Sequence, residues 1–279
     1  MRSLYLRRLF ILFLLLVLPG KQVLSKGPEL MMSTQGYMLF APHIHGLAKS
    51  ISTNSGYRLE LRALTDIIKW NQAYLSFITA NKTLIKSSVE TGPFTLDEIK
   101  YSLSPDLRIE YPTWLLRISY LHESLHTVSH STFGTTQWMN SLQVTLGSKG
   151  SNYLFIWEEY KNVHDRFLNH LDALAFAGVF RKSNGSMWVG RNHDYKYKVG
   201  GRLRLQIGSF NKWAYFMGTD LTGWYRETGD WEGTGVLKLN MFRKGKQNFG
   251  GLYYAYNFYD SFLADNEQHL GSLGLQIIF

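Results

Sequence analysis

A histidine, a serine and an asparagine have side chains and spacing suited to nucleophilic catalysis. His122 and Ser124 are two residues apart in the segment 114–126, and Asn140 lies in the segment 134–147. If both segments are β-strands, His122 and Ser124 share a face, because side chains alternate along a strand. A hydroxyl, an imidazole and an amide on the adjacent strand can act as nucleophile, general base and orienting group. Ser124, His122 and Asn140 are therefore the candidate catalytic residues.

The composition of the two strand faces predicts where these residues lie. In segment 114–126 the odd-numbered face carries Arg117 and Ser119, which suit a polar interior, whereas the face of His122 and Ser124 is otherwise largely apolar. Asn140 lies on the apolar face of its own segment. We therefore expect all three candidate residues to face outward, where polar side chains have no evident packing role.

The turn between the two segments should bring them together. A hairpin that turns around 129–131 would place residues 136–140 alongside residues 120–124. Asn140 would then lie one strand away from the imidazole and the hydroxyl, within the same outward-facing corner.

The spacing of the histidines along the chain gives a weaker indication of metal binding. His122, His126 and His130 recur every four residues, and His43 and His45 form a second pair on one face. A four-residue step along a strand spans about 13 Å, too far for one ion to bridge unless the chain bends. We interpret these histidines as loop or rim residues and expect no metal site.

Charged residues in the middle of the predicted strands indicate a polar barrel interior. Glu60, Asp66 and Asp220 are potential partners for the basic residues of this group. One interpretation is a narrow pore that favours anions, and the other is an internal network of ion pairs that fills the barrel. The residues expected to line the lumen are Arg58, Glu60, Arg62, Arg117, Arg202, Arg204 and Lys238.

The elements that position all of these residues alternate with period two. Apolar and polar side chains alternate in at least eleven segments, separated by Gly-, Ser-, Asn- and Lys-rich turns. The segments are 36–46, 56–67, 71–82, 113–126, 134–147, 152–162, 196–209, 211–226, 234–245, 248–260 and 269–279. The chain is therefore all-β.

A soluble β-sandwich would also alternate, but two features favour a membrane barrel. The segments have about ten residues or more, which suits a tilted membrane span better than the usual five or six. The apolar faces also carry Tyr57, Trp213, Tyr225 and Tyr254, as expected for an aromatic girdle at the membrane interface.

The C-terminus resembles the last strand of bacterial outer-membrane β-barrels. Leu273, Leu275, Ile277 and Phe279 share one face, and the chain ends in the aromatic residue. The resemblance implies a single antiparallel barrel in the outer membrane, inserted by the barrel-assembly machinery through the strand that ends at Phe279.

The strand count should be about twelve, with ten and fourteen as alternatives, because such barrels normally close with an even number. The segment 167–180 supplies a twelfth strand, although its spacing also fits an amphipathic helix. We expect residues 26–35 to form a short periplasmic lead and residues 83–105 to form the longest irregular connection.

The His122-Glu123-Ser124 element resembles the His-x-Ser element of outer-membrane phospholipase A and of the lipid A deacylase barrel. The resemblance implies cleavage of lipid acyl esters at the membrane surface, with Ser124 as nucleophile, His122 as general base and Asn140 as orienting group. Outer-membrane lipids would be the partners, and calcium would be a cofactor only by analogy with the phospholipase. Leu125-His126 replaces the Asn-Gly of the phospholipase pattern, so the resemblance ends before the oxyanion-binding part.

The N-terminus has the three regions of a secretory signal peptide. A basic stretch precedes the apolar run Leu9 to Leu18, and Ser25 offers a small residue for cleavage. About ten apolar residues is too short for a membrane span. The signal peptide would occupy residues 1–25 and the barrel residues 26–279.

The net charge of the mature chain argues against a nucleic-acid partner. The signal peptide contains four of the 30 basic residues and no acid, so its removal lowers the net charge from +9 to +5. The absence of cysteine excludes disulfides and thiolate metal sites. An acyl-ester hydrolase, a small porin or channel with a basic lumen, and a non-catalytic structural barrel fit the remaining observations, and the sequence leaves oligomerisation open.

Overall fold

The computed structural model describes residues 27–45, 55–88, 92–127, 135–148, 171–184, 195–211, 213–243, 249–261 and 270–278. The predicted signal peptide, Phe279 and His130 lie outside these ranges. None of the described residues forms a helix that is long and apolar enough to cross a membrane.

Twelve antiparallel strands form one closed barrel, in which each strand pairs with its neighbours in sequence and β1 pairs with β12. This confirms the predicted all-β fold and the strand number. The strands are β1 (Glu29–His45), β2 (Ser55–Trp70), β3 (Ala73–Ser88), β4 (Gly92–Glu110), β5 (Trp114–Thr127), β6 (Thr135–Ser148), β7 (Leu171–Asn184), β8 (Tyr195–Phe210), β9 (Trp213–Arg226), β10 (Trp231–Arg243), β11 (Phe249–Asp260) and β12 (Leu270–Ile278).

Four of the five connections at the end of the barrel where β1 begins have two to five residues, and we call this the short-turn end. The fifth connection, 149–170, lies outside the described residues. The β2–β3 and β8–β9 turns include Asn71 and Asn211, which have φ angles of 54° and 52°. Asparagine tolerates this left-handed conformation better than most residues do, so it allows a strand to reverse within two residues. Outer-membrane barrels place their short turns in the periplasm, so the opposite, long-loop end faces the cell exterior.

The two faces of the sheet differ as the alternation predicted. On β6, the side chains of Leu142, Val144 and Leu146 are exposed, whereas those of Gln143 and Thr145 are buried in the barrel. The outer surface is apolar around the barrel, and only a hydrocarbon environment makes such a surface favourable.

The short-turn half of the interior is filled by side chains. A cluster of buried apolar residues includes Leu39, Leu64, Ile78 and Phe216. Ion pairs lie in the same half, among them the pair of Arg108 with Asp66 at 2.9 Å. Strand pairing thus closes the wall, and this packing occupies part of the space that the wall encloses.

One predicted connection forms strands. Residues 83–105 were expected to be irregular, but β3 extends to Ser88 and most of the remainder belongs to β4. Pro93, Pro105 and the charged residues of β4 obscured its alternation. The segment 152–162, predicted as a strand, lies outside the described residues, and the twelve described strands close the barrel without it.

The structure also moves the start of β1 and decides between strand and helix for the segment that contains β7. β1 begins at Glu29, so the expected lead at 26–35 is mostly strand. The segment that also fitted an amphipathic helix forms β7, where Asp172 points inward and Val179 points outward. Pairing on both sides fixes its backbone as a strand.

The expected aromatic girdle is partly correct. Tyr57, Trp213 and Tyr225 lie within three residues of a strand end. Tyr254 lies in the middle of β11, opposite Leu239 and Leu273, so it cannot mark the membrane interface.

Candidate active site

Three adjacent strands, β4, β5 and β6, carry the candidate site on the outer surface of the barrel. On β5, Glu123 points into the barrel, where it lies 2.9 Å from Lys198 of β8. Alternation therefore directs His122, Ser124 and His126 outward on the same strand, where neighbouring side chains cover Ser124 to 7% exposure. The structure thus places His122 and Ser124 together on the lipid-facing surface.

The pairing of β5 with β6 brings Asn140 directly opposite His122. The expected hairpin would have placed Asn140 opposite Tyr120, so the actual register differs by two residues. Because side chains alternate with period two, a shift by two keeps every residue on its predicted face. The shift therefore moves Asn140 towards His122 and Ser124 without turning it inward.

His122 and Asn140 form a direct hydrogen bond across the strand pair. Nδ1 of His122 lies 2.8 Å from Oδ1 of Asn140. An amide oxygen only accepts, so Nδ1 is the donor and carries the hydrogen. A neutral imidazole with its hydrogen on Nδ1 keeps the lone pair on Nε2, which is the form that a general base requires.

Ser124 contacts a different histidine. Its Oγ lies 2.8 Å from Nε2 of His126, the next residue on the same face. No hydrogen bond joins Ser124 to His122 within the described part of the chain. Ser124 therefore lies between two outward-facing imidazoles, at positions −2 and +2, and contacts the second one.

Tyr101 completes the surroundings of Ser124. It lies directly opposite Ser124 on β4. Its ring is tilted by 50° against the imidazole of His126, with the ring centroids 5.0 Å apart. This contact restricts the rotation of the imidazole that holds the serine hydroxyl.

The distance along β5 places the site at one surface of the membrane. Ten residues separate Trp114, at the short-turn end, from Ser124, which is about 34 Å of strand. A strand tilt of about 40° reduces this to about 26 Å across the membrane, close to the roughly 25 Å of the apolar band of such barrels. With Trp114 at the interface on the short-turn side, Ser124 is therefore level with the interface on the long-loop side.

The basic residues predicted to line the lumen point inward and form ion pairs with carboxylates. The carboxylate oxygens of Glu60 lie 2.6 Å from the guanidinium of Arg58 and 3.5 Å from that of Arg62. Asp220 lies 2.7 Å from Nε of Arg202 and also binds Lys238. Each of these two carboxylates is thus shared between two cations.

The remaining two predicted lumen residues, Arg117 and Arg204, are deeply buried. Arg117 lies 2.8 Å from Asp106, and Arg204 is paired with Asp172. Both belong to the filled short-turn half of the barrel. A cavity of about 250 Å³ remains in the barrel, and its lining includes Arg58, Arg202 and Lys238.

The interior therefore combines the two alternatives that the sequence left open. It contains the expected ion-pair network, which crosses the lumen where Lys198 on β8 lies 2.9 Å from Glu123 on β5. The remaining cavity has seven basic and four acidic side chains in its lining, and buried side chains pack together in the short-turn half of the interior.

Searches for similar proteins found resemblance only at the level of structure. No protein-family model matches the sequence, and no curated protein matches it. The outer membrane phospholipase dimer of Salmonella typhi, a structure with bound calcium, aligns over 90% of this chain and 92% of its own, with 13% identity and a TM-score of 0.48. The chain is an outer-membrane β-barrel.

Two further solved structures align with most of the chain. Outer membrane phospholipase A of Escherichia coli aligns over 90% of this chain and 94% of its own, with 12% identity and a TM-score of 0.47. The outer membrane protein OmpT of Vibrio cholerae aligns over 91% of this chain and 99% of its own, with 6% identity and a TM-score of 0.39. Identities this low carry no residue role or activity to the outer-membrane barrel described here.

The side chains around Ser124 do not fit a calcium ion. Calcium takes six to eight oxygen ligands, usually with carboxylates among them. The described outward-facing neighbours of Ser124 are Tyr101, His122, His126 and Trp138, together with Asn140, and they include no carboxylate. No cluster of three or more metal-ligating side chains occurs among the described residues either, and the side chains of His43 and His45 lie outside them.

The sequence interpretation missed two members of the site. His126 was interpreted as a rim histidine, and Tyr101 fell in the segment expected to be irregular. The pattern His122-x-Ser124-x-His126 could have revealed the first, because both imidazoles are equally spaced from the serine on one strand face. Nothing in the sequence could have revealed Tyr101, because its place beside Ser124 depends on the β4–β5 register.

Proposed function

We propose that the protein is a hydrolase that cleaves acyl esters of membrane lipids at the outer surface of the barrel. The observation that carries this proposal is the 2.8 Å hydrogen bond between His122 and Asn140 beside an outward-facing serine. A histidine that is held in its basic tautomer two residues from a hydroxyl provides the parts of an acyl-transfer site.

The reaction would begin with attack by Oγ of Ser124 on the carbonyl carbon of the ester. Nε2 of His122 would take the hydroxyl proton, and Asn140 would hold the imidazole and stabilise the imidazolium that forms. His122 would then give this proton to the departing alcohol, and water would release the fatty acid from Ser124. Hydrogen bonds of this kind are often long until substrate binds, so contact between Ser124 and His122 is required only in the complex with substrate.

The position of the site favours a lipid as substrate. Ser124 lies on the lipid-facing surface, where the acyl chains of neighbouring lipids contact the barrel. It is also level with the membrane interface, where the ester groups of phospholipids and lipopolysaccharide lie. A lipid could therefore present its ester to Ser124 while its chains stay in the hydrocarbon layer and do not enter the barrel.

The test is fatty-acid release by the purified, refolded barrel from phospholipid and lipopolysaccharide in mixed micelles. We expect Ser124→Ala to abolish the release. Ser141→Ala is the matched control, because Ser141 lies on the neighbouring strand but faces inward and is fully buried, and its hydroxyl makes no hydrogen bond within the described residues. Equal release by the parent and by Ser124→Ala, or none by the parent on either lipid, would contradict the proposal.

A further inference from the structure

Ser124 lies between two histidines whose hydrogen bonds constrain each other. Asn140 accepts from Nδ1 of His122, so Nε2 of His122 is an acceptor in need of a donor. If Ser124 is to give its proton to His122, its hydrogen cannot also point at His126. The 2.8 Å contact between Ser124 and Nε2 of His126 must then be a bond in which the imidazole donates.

Backbone pairing makes a donor from a side chain necessary at this position. The ester carbonyl acquires negative charge during attack, and hydrolases stabilise it with N–H groups aimed at that oxygen. Ser124 is paired with Tyr101 on one side and with Trp138 on the other. The backbone of β5 at Ser124 is therefore engaged in the sheet on both sides, which leaves side chains as the donors that the described residues offer.

We propose that His126 is a further catalytic residue, whose Nε2–H group first binds Oγ of Ser124 and then the oxyanion. This inference rests on the proposed hydrolase function. Its ring contact with Tyr101 holds the imidazole in place for both roles.

The step is balanced without any further reactant. The bond from Oγ to the carbonyl carbon forms as the hydroxyl proton moves to Nε2 of His122, and the π electrons of the carbonyl move onto its oxygen. Nε2–H of His126 turns from Oγ to that oxygen, which is bonded to the same carbon atom. Collapse of the intermediate restores the carbonyl, breaks the bond to the alcohol and returns the proton from His122 to the leaving oxygen.

Two substitutions of His126 separate a donor from a base. His126→Phe keeps a ring against Tyr101 but has no N–H group, and we expect kcat to fall about 100- to 1,000-fold, as when an oxyanion donor is lost. His126→Gln keeps an amide N–H but cannot take up a proton, so it should retain most of the activity. If His126→Gln is as inactive as His126→Phe, His126 is the base and the proposal is wrong, whereas the hydrolase function stands.

A spectroscopic measurement tests the hydrogen positions without any activity. In the ¹⁵N spectrum of the histidine-labelled barrel in micelles, we expect His122 to carry its hydrogen on Nδ1 and His126 to carry its hydrogen on Nε2. His122→Gln and His126→Gln assign the two signals. A hydrogen on Nδ1 of His126 would overturn the inference even if the protein hydrolyses lipids, because Ser124 would then donate to His126. A protein with the expected tautomers that hydrolyses neither lipid would instead refute the hydrolase function.

Discussion

Replacing Asn140 tests the catalytic role of the cross-strand pair directly. In Asn140→Leu the side chain keeps its approximate volume, and a leucine suits a lipid-facing position flanked by Leu142. The substitution removes only the acceptor that holds Nδ1 of His122 at 2.8 Å. Folding should be preserved, so a loss of activity reports on the histidine.

The expected size of the effect follows from the change in charge of His122 during the reaction. A hydrogen bond between neutral groups contributes about 0.5–1.5 kcal/mol, whereas one to a charged group contributes about 1.5–3 kcal/mol. His122 is neutral in the ground state and charged in the transition state, and only the difference accelerates the reaction. A difference of about 0.5–2 kcal/mol corresponds to a roughly 2- to 30-fold fall in kcat.

Two comparisons make this measurement decisive. Asn140→Asp keeps an acceptor and adds a negative charge, so it should equal or exceed the parent in kcat. Ser141→Ala should not change kcat. If Asn140→Leu has the kcat of the parent while Ser124→Ala is inactive, Asn140 does not orient the base, and the assignment of His122 must be abandoned.

Four further predictions follow from the interior, the site and the chain end. Asp106→Ala leaves the charge of buried Arg117 without the carboxylate that lies 2.8 Å away, so the free energy of unfolding in urea should fall by about 3–5 kcal/mol; an unchanged midpoint would contradict this. Planar-bilayer recordings should show no steady open conductance, because side chains fill the short-turn half of the barrel. Fatty-acid release should persist in EDTA, because the described side chains around Ser124 offer no carboxylate to calcium, and its loss would point to a metal. Deletion of Phe279 should lower the amount of heat-modifiable barrel in the outer membrane, since we expect the assembly machinery to bind the last strand.

The sequence predicts the faces of the strands better than their boundaries. Alternation is a local property that each segment carries by itself, so the inward position of Arg117 and the outward position of Ser124 follow from their own strand. Membership in the barrel depends on pairing with two neighbours. Residues 92–110 became β4 through pairing with β3 and β5, although two prolines and several charged residues weaken their pattern.

The register between strands is the part of the site that could not be predicted. His122, Ser124 and His126 share a face whatever their neighbours do, but Asn140 and Tyr101 reach them only through the pairing of β5 with β6 and β4. Register depends on turn geometry and on packing along the whole strand. The expected turn is centred one residue too early, and this shifts the register by two residues, which is enough to place Asn140 opposite the wrong residue.

Polar residues on a lipid-facing surface need a reason beyond packing, because an apolar side chain would be more favourable there. Pairing reduces this penalty, and both His122 with Asn140 and Ser124 with His126 are paired. Pairing explains how the four side chains are tolerated, but it does not explain why a largely apolar surface should hold them. Two separate polar pairs would have no need to lie next to each other. Their adjacency, with Ser124 between an oriented imidazole and a second imidazole on the same strand, is what acyl transfer requires, since one imidazole takes the proton and the other donates to the oxyanion, and membrane packing alone does not require it.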